Sequence, residues 1–383
     1  MAKKAGAALA SRQQNNTERN YGIDLLRCVS MFLIVVLHIY NQGGLLNALS
    51  QKETYYVSYT VRLIAAGAVN LYAMISGYVM LYGTFKPRRL IGLWLQVVFW
   101  SLLLCGVGSF LLPEAIGKKE WICAVLPITQ KEFWYFSAYA GVFLLSPLVN
   151  RGIRAMTEAQ AFCLMACCIG FFSFGAVFGK FFQGDPFFMG SGYSVIWLLV
   201  LYIVGACLNH SGLLRRKDAG ELLLVMAICL TLCIVWAVLP MRGILKNTKK
   251  QINSYLNPIM LIFDICLFGL FAKMKLCGAF IRKLIGFLAP LTFSVYIIHV
   301  HPLCWTLFKL RFTFIADCRE LFYIPLVLAF ALATYLVCSL LDYLRTLLFR
   351  LLRTDKLCAA LEGLFRKILM KFYAGFAAGH RSR

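Results

Sequence analysis

The residues best suited to chemistry in this chain are ionisable side chains set inside apolar sequence. The stretch from Tyr21 to His38 is mostly apolar, yet it carries Asp24, Arg27 and His38. Ionisable groups inside a membrane-length run are costly and mark functional sites by default. Asp24 and Arg27 are three apart, so on a helix they share a face and can pair. His38 follows Arg27 by eleven residues, close to three full turns, which puts both on one stripe about 16–17 Å apart. One helix thus offers a permanent cation near one membrane face and a titratable base deeper in. The same pair is also compatible with an interfacial anchor and a hydrogen-bonded bundle histidine.

A second constellation is Ser294, Tyr296, His299 and His301. Tyr296 and His299 share a helical face, and His301 falls on another, nearer the exterior. A neutral imidazole can take a proton from a hydroxyl and later return it. Histidines on two separate helices therefore point to a shared polar cavity. A metal site would need more ligands at closer spacing, and no metal is expected. A third feature is the block from Asn70 to Tyr78, where Ser76-Gly77 permits close helix approach. It is followed by Lys86, Pro87, Arg88 and Arg89. This basic cluster suits a phosphate-bearing ligand arriving from inside, and equally suits ordinary positive-inside charge.

The elements that must hold these residues are helices. The chain has 383 residues, 61% hydrophobic and 14% charged, with a mean hydropathy of +0.75. A soluble domain averages about 25% charged residues, so most of this surface faces lipid. Apolar runs of about 20 residues recur down the chain, too long for barrel strands. They predict helices near 23–40, 57–82, 90–112, 132–149, 159–178, 193–210, 220–240, 257–273, 288–310 and 323–344. The expected fold is an all-α polytopic transmembrane bundle of about ten helices. The segment 23–40 is too long and too polar for a signal-peptide core and reads as a retained first span.

Charge sets the orientation. Most of the Lys and Arg fall in one alternate set of loops: the N-terminus, 86–89, Arg151 and Arg154, 215–217, 273–283 and the C-terminal tail. That set is expected in the cytoplasm, with both termini inside. The loop 241–256 is placed outside although it carries Arg242, Lys246, Lys249 and Lys250. From Arg345 to Arg383 apolar residues interleave with Arg and Lys at helical spacing. This predicts an amphipathic interfacial helix on the anionic inner leaflet, with membrane lipid as its partner. The division is a basic cytoplasmic tail (1–20), a transmembrane domain (21–344) and an amphipathic tail (345–383). The net charge of +23 sits in loops between spans, which argues against nucleic acid as a partner. Most of the 15 cysteines lie in apolar runs and read as small apolar residues. Cys123 and Cys318 fall in expected outer loops, where one disulfide could form.

Taken together, these residues resemble acyltransferase family 3, bacterial inner-membrane enzymes that O-acylate cell-surface carbohydrates. Ile23-Asp24 with Arg27 and His38 is similar to that family's Arg-x10-His signature. Val69 to Tyr78 resembles its second-helix Ser-Gly block, and Lys86 with Arg89 its basic motif. Phe133-Trp134-Tyr135 with Leu144-Leu145-Ser146-Pro147 resembles its fourth-helix block, and Tyr296 with His299 its Tyr-x-x-His. Two departures stand out. Glu132 occupies a place where the family often has His. Some members also carry a fused extracytoplasmic esterase-like domain, for which this chain leaves no room; that argues against a two-protein acyl relay or moves it to a separate glycan-assembly partner.

The resemblance implies an acyl donor, usually acetyl-CoA, from the cytoplasm, and a hydroxyl of a cell-surface polysaccharide or glycan precursor as acceptor. Arg27, Lys86, Arg88 and Arg89 would hold the donor's phosphates. His38 would be the general base, with His299 orienting it or sharing the role. Tyr296 and Ser76 are candidates for the oxyanion donor. Direct transfer and a transient acyl-enzyme are both open. The competing reading is a proton-coupled transporter of a small anionic or sugar-linked substrate, for which intramembrane His and Arg serve equally well.

Overall fold

The computed structural model describes residues 19–128, 133–182, 184–241 and 254–381. Among them the chain is helical throughout, without strands. The principal helices are α1 (Tyr21–Asn41), α2 (Tyr55–Met80), α3 (Arg88–Leu111), α4 (Trp134–Ala155), α5 (Glu158–Cys168, continued through a π segment to Phe182), α6 (Val195–Ser211), α7 (Ala219–Met241) and α8 (Pro258–Lys273). They are followed by α9 (Ala279–Leu288), α10 (Thr292–Val300), α11 (Pro302–Phe308), α12 (Tyr323–Leu351) and α13 (Thr354–Arg381). Seven stretches are long and apolar enough to cross a membrane: α1, α2, α3, α5, α7, α9 continued into α10, and α12. Helices also form at the three other expected spans, α4, α6 and α8. Glu132, the loop 242–253 and residues 1–18 lie outside the described residues.

Burial runs opposite to that of a water-soluble protein. The most apolar of the seven stretches, in α7, has 22% of its window buried, whereas α1, with three ionisable side chains, has 67%. Leu223, Leu224, Ile228 and Val235 of α7 all face outward. Apolar surface turned outward and polar groups turned inward are what hydrocarbon solvent selects. At the centre, α1 packs against α2, α8, α9, α10 and α12, and α2 packs against α4, α6 and α8.

Two glycines set the closest crossing. A Cβ added at Gly77 of α2 would lie 1.9 Å from the Tyr202 carbonyl oxygen of α6, and one at Gly205 of α6 would lie 2.0 Å from the Met74 carbonyl oxygen. Each helix thus offers a glycine where the other's backbone passes, the role expected of the Ser76-Gly77 step. Ser76 itself returns its hydroxyl to the Tyr72 carbonyl one turn back, at 3.3 Å.

Three expectations need correction. The predicted span 288–310 begins earlier, with α9 at Ala279, and is broken twice. Pro290 sits in a 3₁₀ turn before α10, and His301 turns extended (φ −57°, ψ 143°) ahead of Pro302. The residue before a proline is pushed out of the α region, and the ring removes a helical N–H. The amphipathic tail starts at Thr354 rather than Arg345. Residues 345–351 extend α12, and the chain turns at Arg353 (φ 51°). In α13, Leu357, Leu364, Phe365, Ile368, Leu369 and Phe372 are exposed, while the helix packs against α3. Cys123 and Cys318 form no disulfide among the described residues.

Candidate active site

The end of α1 and the middle of α10 bring His38 and His299 together, with Nδ1 of His38 2.8 Å from Nε2 of His299. Hydrogen bonding fixes which atoms carry protons. Nδ1 of His299 lies 2.5 Å from the carbonyl oxygen of Val295, one turn back. A carbonyl only accepts, so His299 Nδ1 is protonated and, in the neutral ring, Nε2 is bare. The His38–His299 bond therefore takes its proton from His38 Nδ1. That leaves the lone pair of His38 on Nε2, which makes no hydrogen bond among the described residues. Trp305 of α11 meets the His38 ring edge-on, with centroids 4.9 Å apart at 83°. His38 is half-buried and opens on a cavity, whereas His299 is 3% exposed and does not line it. The first is placed to touch a ligand, and the second holds it.

The cavity has a volume of about 500 Å³ and aromatic walls. Trp134, Tyr193 and Tyr255 form one side, with Trp134 and Tyr193 centroids 4.7 Å apart and Tyr193 and Tyr255 5.1 Å apart. Tyr135 and Tyr296 form another, meeting at 6.2 Å with rings tilted 70°. The hydroxyls of Tyr135 and Tyr296 are buried without a hydrogen bond of regular geometry, Tyr296 lying beside the Tyr135 main chain. Tyr72 is satisfied. Thr292 gives its own proton to the Ala289 carbonyl at 2.8 Å and so accepts from the Tyr72 hydroxyl. Buried hydroxyls are nearly always bonded, which sets these two apart in the cavity wall.

The expected phosphate-binding residues do not all converge. Arg27 pairs with Asp24 at 3.3 Å, as expected, and Arg19 joins the same carboxylate at 2.5 Å. Arg89 shares a small cavity of about 90 Å³ with Arg154, which sequence reading treated only as a topology marker. Arg27, Lys86 and Arg88 line none of the described cavities.

His301 is a structural residue. Its Nδ1 accepts from the Leu303 N–H at 3.3 Å, capping α11, and Nε2 faces Cys105 Sγ at 3.7 Å. His210 receives the Tyr82 hydroxyl at 2.8 Å and donates to the Met156 carbonyl at 2.7 Å, clamping α6 to the α4–α5 turn.

Two buried carboxyls escaped the sequence reading. Asp342 of α12 is fully buried, accepts from Arg345 at 2.6 and 3.1 Å and from Trp100 at 3.1 Å. Trp100 and Gln96 of α3 also donate to Ser294 of α10, so this network fixes the helix that carries His299. Asp264 of α8 accepts from Asn70 at 3.2 Å, and Asn70 accepts from Trp197 at 3.3 Å. The signal for both was an Asp inside an apolar run, with Arg345 one turn after Asp342.

Residues 20–343 match the acyltransferase family 3 domain, described as an acyltransferase domain. The chain therefore belongs to acyltransferase family 3 and is a multi-pass membrane acyltransferase. Neither the curated proteins nor the solved structures contain a significant match to it.

Proposed function

We propose that the protein is an O-acyltransferase, in first instance an O-acetyltransferase, that carries an acyl group from cytoplasmic acyl-CoA to a hydroxyl of a cell-surface or exported carbohydrate. The observation that carries this reading is the bare Nε2 of His38, backed by His299 and opening on an aromatic cavity. Aromatic faces suit the C–H faces of a sugar ring, and the base suits its hydroxyl. In the reaction, Nε2 of His38 takes the acceptor proton as the acceptor oxygen attacks the thioester carbonyl. Its Nδ1–H bond to His299 then becomes charge-assisted and stronger, which stabilises the imidazolium as it forms. Tyr296, whose ring lines the same cavity as His38, is the candidate donor to the developing oxyanion. Collapse breaks the C–S bond, and the CoA thiolate takes the proton back from His38. Arg27 and Arg89 face the donor, which lies toward the cytoplasmic ends of α1 and α3.

On this reading the protein sits in a bacterial inner membrane, crossed about ten times with both termini in the cytoplasm. It works on a glycan supplied by an assembly partner. The test is transfer of radiolabelled acetyl from acetyl-CoA by purified protein in liposomes, against a panel of cell-surface glycans. The wild type is expected to label an acceptor. His38→Ala should lose at least about 10²-fold in rate, the usual contribution of a general base, while remaining folded. Label held on the protein itself would replace direct transfer by an acyl-enzyme. Full activity in His38→Ala would sink the assignment, and the absence of any CoA binding would move it to a transporter.

A further inference from the structure

The largest described cavity, about 880 Å³, is not the aromatic one. It lies where the N-terminus of α1 meets the ends of α2, α6 and α8, and its walls carry Arg19, Arg215, Lys273, Lys275 and Arg282. Arg19 is held by Asp24 and by the Gly286 carbonyl, and Lys273 reaches the Lys217 carbonyl. Arg215, Lys275 and Arg282 make no salt bridge or side-chain hydrogen bond among the described residues. The nearby Glu158 is instead taken by Arg216 at 2.6 Å. Three cations thus face one concavity without a salt bridge among the described residues. Tyr78 and Tyr82 supply aromatic surface there.

We propose that this basic cavity binds a phosphate-bearing ligand. Clustered guanidinium and ammonium groups recognise phosphate oxygens through charge-assisted bonds. Among Arg27, Lys86, Arg88 and Arg89, none lines the cavity, so it is a site separate from the phosphate contacts expected from the basic motif. Its position fits an elongated ligand. Tyr21 on its wall and His38 in the aromatic cavity are seventeen residues apart on α1, about 26 Å along the axis. On α2 the walls approach more closely, since Tyr78 and Tyr72 are six residues apart, about 9 Å. The phosphate belongs either to the nucleotide end of the acyl donor, which rests on the function proposed above, or to an anionic lipid headgroup at the same membrane face.

The experiment compares wild type with a triple variant, Arg215→Gln, Lys275→Gln and Arg282→Gln, both purified in zwitterionic nanodiscs. Binding of 3′,5′-ADP and of CoA is measured by calorimetry, and thermal stability is measured with and without phosphatidylglycerol in the disc. Loss of charge-assisted contacts should weaken ligand binding by about 10²-fold or more. A drop for 3′,5′-ADP and CoA assigns the site to the donor. A phosphatidylglycerol-dependent stabilisation lost in the variant, without nucleotide binding, assigns it to lipid. Unchanged responses to all three probes in a folded triple variant overturn the proposal. Because the readout is binding, weakened 3′,5′-ADP binding with no acyl transfer by the wild type would leave the site standing and remove only the proposed reaction.

Discussion

At the residue scale, the decisive feature is the division of labour between two histidines. His38 alone meets the aromatic cavity, and His299 stands behind it with its tautomer fixed by Val295. Removing His299 should therefore damage chemistry more than binding. His299→Ala is expected to lower kcat by about 10²-fold while the apparent KM for the donor stays unchanged. Single-turnover transfer assays on both substrates check this, and a raised donor KM with unaltered kcat would contradict it. Much of this site was legible in the sequence, because polar groups in apolar runs are conspicuous. His38 and Tyr296 line one cavity, with His299 hydrogen-bonded behind His38, and Arg27 pairs with Asp24. The hydrogen-bond direction between the histidines was not legible, since it depends on a contact between residues 261 positions apart. Nor could sequence separate His301 from the pair, because its capping role follows from the backbone turn at Pro302.

At the scale of elements, α10 is the piece that must be held still, and the Asp342 network holds it. Arg345→Met would leave a buried carboxylate without its cation, at a cost of about 3–5 kcal/mol. Adding Asp342→Asn removes the stranded charge and should recover much of the loss. Thermal unfolding of the two variants in detergent tests this coupling, and equal destabilisation by single and double variants would show that the ion pair does not matter. The breaks that shape α10 illustrate where sequence reading fell short. Apolar composition runs unbroken from 288 to 300, so a composition window sees one span. Pro290 and Pro302 carry the punctuation, and whether a proline kinks or ends a helix depends on what packs around it. The early start at Ala279 was hidden because Arg282 and Lys283 resemble loop charge.

For the whole molecule, the fold class follows from hydropathy alone, while the two-cavity arrangement does not. The walls of the basic cavity come from four stretches spread between residues 19 and 282, and only tertiary structure gathers them. The orientation can be tested with native thiols. Cys277 is exposed and Cys318 is partly exposed, and both are free. In sealed vesicles a membrane-impermeant maleimide should label Cys318 from the outer side and Cys277 only after access to the inner side. The opposite pattern would invert the topology.

The Val295 carbonyl that orients His299 has one more consequence. Many enzymes steady a basic imidazole with a carboxylate, which adds a formal negative charge and the solvation penalty of placing it in hydrocarbon. Here a main-chain dipole, already paid for by the helix, does the same work without a charge. With both rings neutral the dyad adds no charge, and α1 and α10 enter the bilayer during synthesis without a formal charge at this depth. A proton becomes a burden at that depth only while an acceptor is bound to exchange it.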